Sequence, residues 1–486
     1  MKWYSKLLSE NIYGVGVNIS MLIGGIGSVI IFPKLLGPEQ FGYFSIAFAI
    51  VNFCLFFANV GMDTAVLKFI SSSTVWGNTK EYLRIFSKWR YILTLATFVS
   101  IFLLSDAIAE YIFKNPALGT GIRIGSFYLL FYSLYTYYGS ILTGLMKNRS
   151  FFISSVIYDF SRVVMPVLLF SFFLGYGSII WGIVAAAIVA FLIVRKEVAR
   201  TIMPDTSKWI DTSNLKSFIR YGMIGYFGTL LIQWMDSMIL GIFQSSSEVA
   251  FYRVGVMLVS SVGLMIPFSQ KILFPFYSEK HESQRKSEID SIFKHTFKYG
   301  IIFALLFVLG FVLVSDYFIK FVYGDVYSAS YPIIVILSIL NLEVVLNSVT
   351  RPLLLGIGRI DITTKYVLIV GTVATVLNFI VAPVHGMYGV AFVTMLVRLL
   401  SILVLTHYTL RVSSIRVPWA MYSKPILCFL ITLVLFYPLR PMVNSLAMGI
   451  IFSGLITIAY ASLLFVTKSV TTDEFMKLIP RGHDTK

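Results

Sequence analysis

The stretch Glu39-Gln40-Phe41-Gly42-Tyr43 returns in the second half of the chain as Glu248-Val249-Ala250-Phe251-Tyr252, with glutamate and tyrosine in the same places and an offset of 209 residues. Two further pairs recur at nearly the same distance: Leu142-x-Gly144 as Leu354-x-Gly356, offset by 212, and Gly182 as Gly389, offset by 207. Three offsets that agree within a few residues predict a duplicated helical bundle, the plan of many secondary transporters.

Composition places the chain in a membrane. Of its 486 residues, 57% are hydrophobic and only 13% are charged, and the mean hydropathy is +0.84. Continuous apolar runs, rather than alternating ones, predict helices and not a barrel. The fold class is therefore all-α and polytopic. We predict fourteen transmembrane helices: 11–36, 41–70, 89–106, 120–146, 151–174, 178–195, 217–243, 249–275, 296–316, 330–356, 364–384, 387–411, 424–440 and 445–467.

The repeat divides these helices into two lobes of six. We predict an N-terminal lobe over 1–195, a cytoplasmic linker over 196–216, a C-terminal lobe over 217–411 and two additional helices within 424–467. Because six is even, both lobes enter the membrane from the same side, and a pseudo-twofold axis along the membrane normal is expected. A cavity between such lobes can open to either face, which is the geometry of alternating access.

Basic residues are distributed unevenly between the two sides. The net charge is +16, and 29 of the 39 lysines and arginines fall on the side of the N-terminus. The opposite side carries only five: Lys34, Lys114, Arg123, Lys320 and Arg440. This asymmetry predicts a multi-pass protein of the plasma or inner membrane with both termini in the cytoplasm, and it explains the basic composition without nucleic acid. Cys54 and Cys428 lie in predicted spans, as expected of packing thiols rather than a disulfide or metal site.

Several segments carry a resemblance to a known family. They are Leu35-Leu36-Gly37-Pro38-Glu39-Gln40-Phe41-Gly42-Tyr43, Asp236-Ser237-Met238-Ile239-Leu240-Gly241, Val249-Ala250-Phe251-Tyr252, Pro275, Leu354-Leu355-Gly356-Ile357-Gly358-Arg359 and Gly386-Met387-Tyr388-Gly389-Val390-Ala391. With them the chain resembles Wzx-type O-antigen and polysaccharide flippases, of the superfamily that also holds multidrug exporters and the peptidoglycan-precursor flippase. The resemblance implies outward movement of a polyprenyl-(di)phosphate-linked oligosaccharide by alternating access, for cell-surface polysaccharide or glycan assembly. Expected partners are that substrate, the lipid bilayer, and a polymerase or glycosyltransferases.

An anionic headgroup of this kind needs cations to replace its lost solvation. Five basic residues lie within or at the ends of spans: Lys68, Arg162, Arg253, Lys271 and Arg398. A charge inside the membrane usually faces a cavity or a partner. Arg162 has Asp159 three residues before it, so a structural ion pair is an equal alternative, whereas Arg398 has no carboxylate nearby in sequence. Lys68 and Lys271 are near enough to the interface to snorkel. The resemblance favours Lys271 and Arg253, because span 8 faces the cavity in that family.

Carboxylates within spans are candidates for ion coupling. Four qualify: Asp63, Asp159, Asp236 and Glu343. A desolvated carboxylate can bind H+ or Na+, and Asp236 is the preferred candidate because it lies well inside span 7. Glu343, Asn347 and Arg351 recur every four residues, which also fits a hydrogen-bonded seam between helices. The membrane potential alone supplies about 2.3 kcal/mol per charge per 100 mV, so coupling is not obligatory. We predict no cofactor and no bound metal.

Aromatic residues are dense in span 4. The span contains Tyr128, Phe131, Tyr132, Tyr135, Tyr137 and Tyr138. These rings can stack on sugars, although such rings more often form the packed core or an interfacial belt.

Other function classes lack the segments they need. No G-x-x-x-x-G-K-[ST] loop is present for an ATP-driven pump. The predicted outer loops are too short for the catalytic segment of a membrane-bound polymerase, so the chain is predicted to be a transporter and not an enzyme. The alternative is an ion-coupled multidrug or organic cation antiporter of the same superfamily.

Overall fold

The described part of the chain is helical throughout. In a computed structural model, residues 2–76, 79–201, 213–261, 270–283, 285–415 and 419–470 are described, and these contain no strand. Ten helices within these ranges are long and apolar enough to cross a membrane. The predicted all-α, polytopic class is confirmed.

The helices follow the predicted spans closely. They are α1 (Lys2–Asn59), α2 (Met62–Trp76), α3 (Thr79–Ala107), α4 (Ala117–Gly144), α5 (Asn148–Phe172), α6 (Tyr176–Thr201), α7 (Ser213–Phe243), α8 (Ser246–Ser261), α9 (Gln270–Glu282), α10 (Lys286–Tyr323), α11 (Ser330–Ser338), α12 (Leu340–Gly356), α13 (Ile360–Ser413), α14 (Trp419–Phe436) and α15 (Leu446–Val466). Most predicted spans fall on one of these helices or on a segment of one, but span 2 covers the end of α1 and part of α2, and span 10 covers α11 and α12. Predicted span 8 covers α8 and the start of α9, with 262–269 outside the described residues.

Two pairs of spans that the sequence predicts as separate are joined by a single-residue kink. In α1 the break is at Gly37, with φ 71° and ψ 172°, and in α13 it is at Gly386, with φ 55° and ψ −147°. Positive φ is readily adopted by glycine because it has no Cβ. Both glycines belong to the segments that carry the family resemblance, so those segments mark the turns between consecutive spans.

The internal repeat is visible in the way two helices end. The N–H of Lys147 donates to the carbonyl of Leu142 at 2.8 Å after α4, and the N–H of Arg359 donates to the carbonyl of Leu354 at 2.8 Å after α12. In each case the preceding residue, Met146 or Gly358, has positive φ. This is the Schellman type of helix termination, and it follows the repeated Leu-x-Gly at the same spacing in both halves.

The glycine of that repeat also has the same packing role twice. A Cβ on Gly144 would lie 3.1 Å from Ile70 near the end of α2, and one on Gly356 would lie 2.7 Å from Cβ of Tyr277 near the end of α9. Ile70 and Tyr277 are themselves offset by 207 residues. Shared termination and shared close packing support the duplication. The third sequence pair has no common role, because Gly182 packs on Pro166 of α5 while Gly389 packs on residues of its own helix.

Contacts group the chain into two compact units. One comprises Met1–Leu264 with Thr364–Val393, and the other comprises Met265–Thr363 with Thr394–Lys486. The two units are defined by contacts between neighbouring helices and not by the sequence repeat. The lobe boundaries and the pseudo-twofold axis therefore stay predictions.

Candidate functional site

Among the candidate cations whose side chains are described, Arg253 of α8 lies closest to an aromatic ring. Its guanidinium carbon is 4.3 Å from the ring centroid of Trp234 in α7, and its Nη1 donates to the carbonyl of Gln233 at 3.4 Å. Both side chains of the stacked pair are half-buried. Among the described residues, no carboxylate lies within 4.0 Å of the guanidinium. Stacking on tryptophan stabilises such a cation by about 2 kcal/mol when it is desolvated.

Asp236 lies on the same helix pair and is buried, with 9% of its surface exposed. Its carboxylate accepts hydrogen bonds from Tyr252 Oη of α8 at 2.6 Å and from Asn378 Nδ2 of α13 at 2.8 Å. The repeat has diverged here, because Tyr43, the counterpart of Tyr252, donates instead to Glu39 at 2.8 Å. Hydrogen bonds from these two side chains therefore fix the Asp236 carboxylate between α7, α8 and α13.

Asp63, at the start of α2, forms an ion pair with Arg90 of α3. Arg90 Nη1 lies 3.2 Å from Asp63 Oδ1, and Arg90 Nη2 also donates to Thr136 Oγ1 at 3.0 Å and to the carbonyl of Ser133. Asn59 Nδ2 donates to the other Asp63 oxygen at 2.7 Å. Asp63 is therefore a fixed partner of Arg90.

Arg90 was not among the candidate site residues, although it is one of the 29 basic residues that the sequence assigns to the side of the N-terminus. Its side chain is fully buried in the bundle. A count of basic residues on each side does not tell which face of a helix they occupy. Thr94 and Thr97 follow Arg90 at the spacing of one helical face, and both are buried. This polar stripe was the pattern that could have identified Arg90.

Asp159 and Arg162 of α5 form the local ion pair that the sequence analysis weighed as an alternative. Their side chains are 3.2 Å apart, Ser20 Oγ donates to Asp159 Oδ2 at 2.7 Å, and Arg162 Nη2 donates to the carbonyl of Met21 at 3.2 Å. Gly24 allows α1 to approach this closely, since a Cβ there would lie 2.6 Å from the Asp159 carbonyl oxygen.

Arg398 of α13 has a carboxylate partner that its sequence neighbourhood does not show. Its Nη2 lies 2.7 Å from Oε2 of Glu343 in α12, and Asn347 Nδ2 donates to the other Glu343 oxygen at 2.7 Å. Glu343 is buried, with 5% of its surface exposed. The polar stripe on α12 thus contributes to a hydrogen-bonded seam between helices, as one of its two interpretations predicted.

The two lysine candidates are placed less centrally. Lys68 of α2 is exposed, and its Nζ lies 5.8 Å from the ring centroid of Phe69. Lys271 lies in the first turn of α9, and its side chain falls outside the described residues. Of the five candidate cations, Arg162 and Arg398 pair with carboxylates, and Arg253 stacks on tryptophan.

Buried ionisable side chains in an apolar helical bundle are typical of membrane transporters. Residues 31–332 match the family described as polysaccharide biosynthesis protein, and the chain belongs to that family. This match confirms the predicted family of polysaccharide flippases in its broad outline.

Two relatives come from archaea. The probable low-salt glycan biosynthesis flippase Agl15 of Haloferax volcanii is 21% identical over 480 residues, which cover 98% of this chain and 97% of the relative. An uncharacterized membrane protein of Methanocaldococcus jannaschii is 24% identical over 390 residues, covering 74% and 75% of the two chains.

Solved structures share the fold. The lipid II flippase MurJ in an inward closed conformation has a TM-score of 0.72 and 16% identity, covering 95% of this chain and 99% of its own. An inward-facing multidrug resistance MATE family transporter of the MOP superfamily has a TM-score of 0.62 and 12% identity, covering 83% and 94%. The relatives with a stated activity are flippases and transporters, in agreement with the predicted transporter rather than an enzyme.

Proposed function

We propose that the protein is a flippase that moves a polyprenyl-phosphate- or polyprenyl-diphosphate-linked oligosaccharide from the cytoplasmic to the outer leaflet. Membership of the polysaccharide biosynthesis family, similarity to a glycan biosynthesis flippase along nearly the whole chain, and the fold shared with a lipid II flippase support this proposal. The expected site of action is the plasma or inner membrane, with both termini in the cytoplasm. A polymerase or glycosyltransferases would act on the same substrate before or after it.

The observation that carries the proposal is the environment of Arg253. Moving a phosphate-sized ion into hydrocarbon costs of the order of 20 kcal/mol in the idealised limit, so the headgroup needs a protein cation that is free to bind it. Arg253 stacks on Trp234 and has no carboxylate within 4.0 Å among the described residues. Its planar guanidinium can donate two parallel hydrogen bonds to one phosphate group. Lys271 and Lys68 are proposed to assist it, whereas Arg162 and Arg398 are already held by carboxylates.

Coupling is assigned to Asp236. Its carboxylate is buried, accepts hydrogen bonds from Tyr252 and Asn378, and lies well inside α7, so we assign the binding of H+ or Na+ to it. Release of that ion would allow the return of the empty transporter. The outward movement of the anionic headgroup is favoured in addition by a cytoplasm-negative potential.

The test is translocation in proteoliposomes. A fluorescent polyprenyl diphosphate bearing a short oligosaccharide is incorporated, and its appearance in the opposite leaflet is followed by quenching. We expect protein-dependent movement that falls at least tenfold in Arg253→Ala, a change of about 1.4 kcal/mol or more. Arg123→Ala is the matched control, because Arg123 is 44% exposed and pairs with Asp106 away from this cluster. It should transport at the wild-type rate.

The same preparation distinguishes the antiporter alternative. MATE transporters share the fold, so the proteoliposomes are also tested for uptake of a fluorescent organic cation against an imposed H+ or Na+ gradient. Uptake of that cation without movement of the lipid-linked sugar would overturn the proposed flippase function in favour of the antiporter.

A further inference from the structure

A continuous series of aromatic rings connects Arg253 to Arg162. From Trp234, the ring of Phe48 in α1 is 6.0 Å away, and the ring of Tyr128 in α4 is a further 5.0 Å away, measured between centroids. Tyr128 lies 4.9 Å from Tyr132, with nearly parallel planes at 19°. The series thus joins residues of three helices, α1, α4 and α7, in one compact unit.

The series continues from α4 to α5. The ring of Tyr132 is 5.7 Å from that of Tyr158, and the guanidinium of Arg162 is 5.7 Å from the ring centroid of Tyr158. The five rings Trp234, Phe48, Tyr128, Tyr132 and Tyr158 are called the aromatic track below. At one end it meets Arg253, and at the other end it meets the Asp159–Arg162 pair.

The exposure of the rings is uneven along the track. Trp234, Phe48 and Tyr132 are half-buried and keep part of their surface open, whereas Tyr128 and Tyr158 are buried at 3% and 6% exposure. Apolar rings without hydroxyls would be sufficient for core packing alone. Here three neighbouring rings, Tyr128, Tyr132 and Tyr158, each carry a hydroxyl, so the track includes polar groups beside its aromatic faces.

Aromatic faces beside a few convergent polar groups are what a sugar-binding site requires. The C–H face of a pyranose ring is apolar and packs on an aromatic ring, while its hydroxyls need donors and acceptors at the edge. Tyrosine hydroxyls both donate and accept, and a carboxylate next to a guanidinium offers acceptors and donors together. Successive rings of the track are separated by distances comparable to the length of one pyranose unit.

We infer that the aromatic track is the binding site for the oligosaccharide of the substrate, with the phosphate at Arg253 and the sugars distal to it extending toward Tyr132, Tyr158 and the Asp159–Arg162 pair. This inference rests on the proposed function, and it names the part of the substrate that each end of the track contacts. It assigns to Asp159 and Arg162 a role in glycan selection in place of headgroup binding or ion coupling.

Two substrates of different glycan length test the inference. The probes are a fluorescent farnesyl diphosphate bearing either a single N-acetylglucosamine or a linear chain of four. In wild-type proteoliposomes both should move. Tyr132→Ala should slow the long probe about tenfold while changing the short probe less than about twofold, since only the long glycan reaches that ring. Arg253→Ala should slow both probes alike, because both carry the diphosphate.

Tyr138→Ala is the matched control variant. Tyr138 lies on the same helix, α4, but packs on Phe191 and Tyr137 and is not part of the track. It should transport both probes as the wild type does. Tyr132→Phe and Tyr138→Phe, which preserve ring volume, form a second pair in case the alanine variants do not fold. Tyr132→Phe alone should slow the long probe, through loss of the hydroxyl.

The outcomes separate the two proposals. Movement of both probes by the wild type, with Tyr132→Ala and Tyr132→Phe each affecting them equally or not at all, would overturn the aromatic track as a glycan site and leave the flippase function standing. Movement of neither probe by the wild type would contradict the proposed function and, with it, this inference.

Discussion

The carboxylate of Asp63 lies 3.2 Å from the guanidinium of Arg90, and the arginine side chain has no exposed surface. The pair joins the start of α2 to α3, and Thr136 and the carbonyl of Ser133 in α4 satisfy further donors of Arg90. A buried arginine that loses its carboxylate retains an uncompensated charge, which costs more than the intact pair contributes.

Asp63→Asn should therefore destabilise the protein. We expect a loss of about 3 kcal/mol, at the low end of the range for breaking a buried pair, because Asp63 keeps 23% of its side-chain surface exposed. Thermal melting in detergent measures the effect. Asp106→Asn, which breaks the exposed pair with Arg123, is the control and should cost less than about 1 kcal/mol.

The double variant Asp63→Asn/Arg90→Met provides a further check on the pair. Removal of both charges should recover most of the stability lost in Asp63→Asn, because no unpaired charge is then buried. A loss of stability in the double variant equal to the sum of the losses in Asp63→Asn and Arg90→Met would show that the two residues are not coupled.

Arg253→Lys should transport more slowly than the wild type but faster than Arg253→Ala. Lysine keeps the positive charge, yet it lacks the planar group that stacks on Trp234 and binds a phosphate through two parallel hydrogen bonds. The measurement is the dependence of the initial translocation rate on substrate concentration, and the KM should rise most in the alanine variant. Equal translocation rates for the lysine and alanine variants would mean that the positive charge alone does not contribute to transport.

Asp236→Asn should remove the response of transport to an H+ or Na+ gradient. The asparagine keeps the size of the side chain but cannot exchange a cation, and transport driven by an imposed potential should persist. Tyr252→Phe removes one hydrogen bond and leaves that from Asn378, so its gradient response should be weakened but present. Asp361→Asn is the control, since Asp361 pairs with Arg359 and is 43% exposed. An unchanged response in Asp236→Asn would place coupling at another residue.

Gly42→Ala should separate α1 from α8. A Cβ at Gly42 would lie 1.9 Å from the carbonyl oxygen of Ser246, and backbone cannot move aside as a side chain can. We expect a loss of about 1–3 kcal/mol, the usual range for overpacking, together with slower transport. Gly310→Ala in α10 meets nothing within 4 Å and should raise stability by up to about 1 kcal/mol. Equal melting temperatures for the two variants would contradict the close approach.

Helix positions and the family were accessible from sequence because they depend on local properties. Apolar runs are driven into hydrocarbon wherever they occur, and Gly37 and Gly386 mark turns because positive φ favours glycine. The Leu-x-Gly repeat likewise specifies a helix ending within a few residues.

The candidate site was predicted only in part. The Asp159–Arg162 ion pair was one of two alternatives, because residues three apart on a helix can contact each other. The partner of Arg398 was missed because Glu343 is 55 residues away, and Arg90 was missed because a count of charges near helix ends does not tell which face they occupy.

The sequence by itself determined that this protein is an all-α membrane protein with fourteen helical spans and an internal repeat, since hydrophobic burial and glycine turns act over a few residues. Tertiary structure alone decided which ionisable groups neutralise one another. Asp236 and Asn378 are 142 residues apart, and only packing brings them to 2.8 Å. The same packing stacks Arg253 of α8 on Trp234 of α7, with no carboxylate within 4.0 Å of its guanidinium among the described residues.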